Sequence, residues 1–199
     1  MSAEIATSIS TYGISLVGYR LVPERGYWKI RPSLRPMEPI LAEIEKALDA
    51  GLYYLAVMLA VAIPDICGAL ESKDGRSGPV QYKAWYDAHL ANRIYDLTAD
   101  DCYSLRCGVV HQGKFGLAGA QYDRAIFLLP QSKNKMVACQ IGDAYVYSVE
   151  HFCKEVIVAV RTWFAAKQND ANVIANMPRL VRVHPNGLAP YIVGEPVIA

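Results

Sequence analysis

The segment Arg106-Cys107-Gly108-Val109-Val110-His111 holds the pair of side chains in this sequence best suited to chemistry. A guanidinium is a planar fork of donors that grips phosphate oxygens and offsets charge as it builds in a transition state. An imidazole titrates near neutral pH and moves the proton of an attacking hydroxyl or of a leaving oxygen. The pair therefore suits a phosphodiester. Five helical residues advance about 7.5 Å along the axis and turn about 140° around it, so a regular helix puts Arg106 and His111 on different faces. Their convergence is expected through a frayed last turn or through the same helix of a second chain.

The neighbouring residues offer further options. Cys107 and His111 are four apart and share a face, the arrangement of a Cys-His nucleophile pair, although a small thiol beside a helix-capping His is the commoner use of such a spacing. Cys102, Cys107 and His111 match no zinc spacing, so no metal and no cofactor is expected. Gly113, Gly116 and Gly119 follow no strand and precede no Gly-Lys-Ser/Thr, which argues against a phosphate-binding loop. His89, His151 and His184 stand alone and are expected in surface or packing roles. Asp65 lies in a nearly all-apolar run, and a buried carboxylate requires a partner. Arg106 is the attractive candidate, and Arg106 has Asp100 and Asp101 as other possible partners.

These residues must be held by helices. The first is expected over about 39–50, with Pro39 in its first turn and Ile40, Leu41, Ile44, Ala47 and Leu48 in one stripe. The second, about 52–70, is apolar nearly all round and belongs at the centre of a bundle, kinked or split at Pro64. Residues 71–78 read as a loop. The third, about 79–91, places Tyr82, Trp85, Tyr86 and Leu90 on one face, as core or dimer interface. The fourth, about 99–112, has Thr98 as its cap, Asp101 three residues on, and Gly113 just past its end. Two strands, Ala125–Leu129 and Met136–Ile141, are expected to join through residues 132–135. A long amphipathic helix follows over about 148–167. Short extended pieces at 11–35, among them Ile14–Val17 and Tyr19–Val22, and a tail with a turn at Pro185-Asn186-Gly187 complete the chain.

Composition narrows the class. With 53% apolar and 20% charged residues the chain is globular. Twenty basic residues against nineteen acidic ones, net charge +1, provide no general attraction for nucleic acid, so any such contact depends on a local patch. The longest apolar stretch, Leu52–Ile63, falls short of the roughly 20 residues of a membrane span, and Met1-Ser2-Ala3-Glu4 lacks the features of a signal peptide. Five cysteines in no disulfide-like spacing suggest reduced thiols and a cytoplasmic location. One domain over 1–199 is expected: an extended segment 1–36, a helical core 37–168 and an extended tail 169–199.

The stretch Asp101–Gly113, with its Arg-x4-His element, resembles the motif helix of the HEPN superfamily of small helical bundles. An apolar second helix and the aromatic Gln81-Tyr82-Lys83-Ala84-Trp85-Tyr86 helix precede it in the same order, and the resemblance spans about residues 37–168. It implies a mainly α fold, a bundle of four to five helices with short strand additions at the N-terminus, around 125–147 and at the C-terminus. It also implies a homodimer whose paired motif helices line one cleft, metal-independent cleavage of RNA by Arg106 and His111, and a role of toxin or defence type. Asp65, Asp101 and Cys107 stand as supporting residues. Active members carry a polar residue after the Arg, often Asn, Asp or His, and here Cys107, a weak donor, takes that place. That departure favours the alternative, a non-catalytic scaffold or protein-interaction module with an unidentified protein partner. An enzyme acting on a small ligand in a bundle pocket is a third class, for which no motif nominates a substrate.

Overall fold

The computed structural model describes residues 19–24, 27–32, 36–116 and 122–199. The strand expected at Ile14–Val17 and Gly119 lie outside them. The chain divides into two compact units, one up to Ile40 and the other from Leu41 to Ala199. In the first, β1 (Tyr19–Glu24) and β2 (Tyr27–Pro32) form an antiparallel hairpin in register from Tyr19↔Pro32 to Glu24↔Tyr27. Helix α1 (Glu38–Asp49) crosses the division.

The second unit is built around α2 (Tyr53–Glu71), on which α3 (Pro79–His89), α4 (Ala99–Gln112) and α5 (Val149–Lys167) pack. Pro64 removes one backbone donor but does not divide α2, which runs unbroken to Glu71 with Ile63, Pro64 and Cys67 buried among its neighbours. Tertiary burial outweighs the local penalty of the proline. The α3 stripe is buried as its spacing predicts: Tyr82, Trp85, Tyr86 and Leu90 are each no more than 2% exposed. The Tyr82 hydroxyl donates to the Val61 carbonyl at 3.0 Å and lies 3.2 Å from the Cys102 carbonyl. It thereby ties α2 to α4.

The expected pairing of Ala125–Leu129 with Met136–Ile141 does not form. A three-stranded sheet has the order β3 (Arg124–Leu128), β5 (Ala144–Ser148), β4 (Ala138–Ile141), with β5 parallel to β3 and antiparallel to β4. The central strand went unread because it runs directly into α5, and its five residues merge with the helical pattern. Burial explains its place: Ala144, Tyr145, Val146 and Tyr147 are all buried, whereas β4 is half exposed. Gly142, at φ +59°, makes the turn from β4 to β5.

The tail is not simply extended either. Helix α6 (Ala171–Asn176) and a 3-10 turn (Met177–Arg179) come first, with Val173 and Asn176 buried. The pairs β6 (Val183–His184) with β9 (Val197–Ile198) and β7 (Gly187–Leu188) with β8 (Ile192–Val193) follow, and the turn at Pro185-Asn186 falls where expected. Among the described residues six helices and short strands make the chain mainly α.

Candidate functional site

Helix α4 starts on a capping box. Thr98 Oγ1 accepts from the Asp101 backbone N–H at 3.1 Å, and Asp101 Oδ2 accepts from the Thr98 N–H at 3.1 Å. The helix ends at Gly113, in the left-handed region at φ +65°, with the Lys114 N–H on the Gly108 carbonyl at 3.0 Å. These two ends set the register in which Arg106 and His111 project.

One chain brings the two together. Arg106 Nη1 lies 3.0 Å from His111 Nε2. No fraying is required, because α4 remains helical through Gln112 and the long arginine side chain spans the angular gap that Cβ positions alone leave open. Guanidinium nitrogens only donate, so Nε2 is the acceptor and the imidazole proton sits on Nδ1 in this contact. Arg106 Nε donates to Asp65 Oδ2 at 2.6 Å, with side-chain exposures of 24% and 17%. Asp65 Oδ1 in turn accepts from Ser77 Oγ at 3.2 Å. The result is a row, Ser77–Asp65–Arg106–His111, running from the α2–α3 loop to the end of α4. His111 is exposed, so the row opens to solvent at its imidazole end.

Electrostatics hold the guanidinium charged. Burial by itself would lower the Arg106 pKa, but the Asp65 carboxylate and its hydrogen bond outweigh that and the net direction is upward. The Cys107 thiol lies beside this pair and adds to the upward direction at Arg106. Tyr103, Cys107 and His111 recur every four residues on one helix face, and the Lys83 ammonium sits 5.7 Å from the centre of the Tyr103 ring. Burial first, then the Cys107 thiol, push the Tyr103 hydroxyl upward.

The other residues singled out by sequence go elsewhere. Asp101 is 2% exposed and serves the helix cap, one end of α4 away from Arg106, so it takes no part in the row. Asp100 pairs with Lys83. His89 packs on Trp85 with ring centres 5.0 Å apart, and His151 lies 3.8 Å from Glu155. Gly113 caps α4 and Gly116 bridges Arg124, which leaves no phosphate loop among the described glycines of that run. No group of three or more His, Cys, Asp or Glu gathers as metal ligands among the described residues. Ser77 was missed, since a serine in a polar loop carries no signal of its own. Tyr103 could have been found from its spacing to Cys107. An open apolar cleft of about 650 Å³, lined by Leu52, Tyr54, Leu55, Phe115, Phe127 and Leu129, includes neither Arg106 nor His111.

Two consequences can be measured. Burial raises the thiol pKa of Cys67, and pushes Cys102 and Cys153 up to about 12, while Cys107 and Cys139 are partly exposed. Titration of the native protein with a disulfide reagent is expected to modify Cys107 and Cys139 and to spare the three buried thiols, with peptide mapping as the check. A Cβ on Gly108 would lie 2.8 Å from the Lys114 carbonyl oxygen. Gly108→Ala is therefore expected to lower stability by about 1–3 kcal/mol in urea unfolding, against the gain of up to about 1 kcal/mol that glycine-to-alanine gives in an open helix.

No family model, no curated protein and no solved structure matches this chain.

Proposed function

We propose that this chain is a divergent HEPN-like protein whose Arg106–His111 pair cleaves RNA without a metal, in a homodimer that pairs two such helix ends. The observation that carries this reading is the 3.0 Å contact between guanidinium and imidazole at an open helix end, with the guanidinium braced from behind by Asp65. Asp65 occupies Nε, and an incoming phosphodiester competes for Nη1. When the guanidinium turns to the phosphate, His111 Nε2 loses its donor and becomes free to take the proton of a ribose 2′-hydroxyl. The 2′-oxygen forms its bond to phosphorus, the bond from phosphorus to the 5′-oxygen breaks, and the leaving oxygen takes up a proton. Arg106 offsets the charge gathering on the phosphoryl oxygens. Products carry a 2′,3′-cyclic phosphate and a 5′-hydroxyl. Tyr103 beside the row supplies an aromatic surface, with the Lys83 ammonium near its ring sharing its charge with Asp100.

A second reading is favoured by the same Arg106–Asp65 ion pair. A 2.6 Å bond between half-buried partners on α2 and α4 is also what a purely structural arginine makes, and Cys107 is a poor phosphate ligand. On that reading the chain is a non-catalytic scaffold for a protein partner. The deciding experiment incubates purified protein with single-stranded RNA in excess chelator and identifies the product ends. Cyclic phosphate termini support the nuclease; intact RNA with the wild-type protein supports the scaffold.

A further inference from the structure

We infer that the segment Ala171–Arg179 is a positioning element for the Asp65–Arg106 pair, acting through Ser77. The geometry of this control stands on its own, and only its catalytic consequence rests on the function proposed above.

A helix end leaves its last carbonyls without intrahelical partners, and α2 has its own answered by α6. Asn176 is 5% exposed, and its Nδ2 contacts the carbonyls of Ala69, Leu70 and Ser72 at 3.4, 3.2 and 2.7 Å. Asn172 Nδ2 donates to the Glu71 carbonyl at 2.9 Å. Beyond the helix, the chain turns through Gly75, at φ +74°. Arg179 Nη1 reaches the Asp74 carbonyl at 3.2 Å and Asn176 Oδ1 at 3.4 Å. The fit over Gly75 is close: a Cβ there would lie 2.7 Å from Arg179 Nη1 and 2.8 Å from Asn176 Oδ1. The turn is closed inside as well, with the Arg76 N–H on Ser72 Oγ at 2.9 Å and on Asp74 Oδ1 at 3.1 Å. On the far side, the Gly78 N–H donates to Gln81 Oε1 at 3.1 Å, the start of α3.

A turn pinned at both ends delivers Ser77 to one place. Its hydroxyl holds Asp65 Oδ1, which leaves Oδ2 facing Arg106 Nε. A carboxylate turns about its last bond with little resistance, so the Ser77 bond selects which rotamer the guanidinium meets. Ser77 bonds Asp65 and makes no hydrogen bond to Arg106 or His111, so it is a positioning residue rather than a catalytic one.

The test reads the Arg106 Nε–Hε resonance of the full chain, assigned by its loss in Arg106→Lys. Ser77→Ala is expected to speed exchange of this proton with solvent about tenfold, the effect of weakening one charge-assisted hydrogen bond. Ser77→Thr, which keeps the hydroxyl, is expected to restore it. Arg179→Ala, an exposed change that leaves Asn176 in place, is expected to shift exchange in the same direction by a smaller factor. On RNA, Ser77→Ala should lower kcat with KM unchanged. Unchanged exchange in Ser77→Ala overturns the role of Ser77, and a response to Ser77→Ala with none to Arg179→Ala overturns the control by the tail. A wild-type protein that cuts no RNA overturns the function proposed above while leaving the exchange result to decide this one.

Discussion

His111→Ala is expected to lower the rate of RNA cleavage by about 10³-fold, within the range of a lost general base, and to move the melting temperature by no more than about 2 °C. The imidazole is exposed and its contact with Arg106 is on the solvent side of the row, so little folding energy depends on it. Arg106→Ala behaves differently. It should reduce cleavage by about 10²–10³-fold and also cost about 1–3 kcal/mol, because Asp65 keeps Ser77 but loses its charged partner in a half-buried position. Gel analysis of labelled RNA beside urea melts of both variants separates the two quantities. Cleavage that persists in both variants at the wild-type rate removes this site from consideration. A wild-type protein that leaves RNA intact, combined with destabilised Arg106→Ala, identifies the arginine as a strut of the fold.

Trp163→Ala is expected to destabilise the second unit by about 3–5 kcal/mol, the range for deleting a buried tryptophan. Trp163 is 1% exposed and meets Trp85 edge to face with ring centres 6.1 Å apart, so α5 and α3 both line the space it would vacate. Its indole Nε1 also donates to Glu71 Oε1 at 3.1 Å, beside the 3.0 Å contact from Lys167 Nζ. Trp163→Phe keeps most of the packing and loses the donor, and should cost about 1–2 kcal/mol. Urea midpoints for the pair measure the difference. A loss under about 1 kcal/mol in Trp163→Ala would mean that this tryptophan does not sit in a close-packed core.

The features visible in sequence were those with a local cause. The Thr98–Asp101 box, the Gly113 stop and the α3 aromatic stripe each depend on residues within one or two turns of each other, and each is present in the structure. The Asp65–Arg106 pair was legible for a different reason: a carboxylate in an apolar helix demands a partner. Asp101, read both as part of that box and as a support for Arg106, does the first only, because a carboxylate in the first turn of α4 serves its own helix end before it can serve a residue further along. The sheet and the tail were misread where local pattern was ambiguous. β5 is too short and too apolar to be told from the start of α5, and only pairing to β3 and β4 makes it a strand.

Residue types and their periods determined by themselves that this is a helical chain with an apolar α2 at its centre, and that one arginine and one histidine share the close of α4. Such signals follow from hydrophobic spacing and from the unpaired groups at helix ends, which act over a few residues. Only the tertiary structure decided that Arg106 meets His111 within a single chain, that Ser77 holds the far oxygen of Asp65, and that a buried asparagine about a hundred positions downstream pins the loop carrying that serine. Contacts between distant segments are set by how whole helices pack, and no short stretch of sequence contains that information.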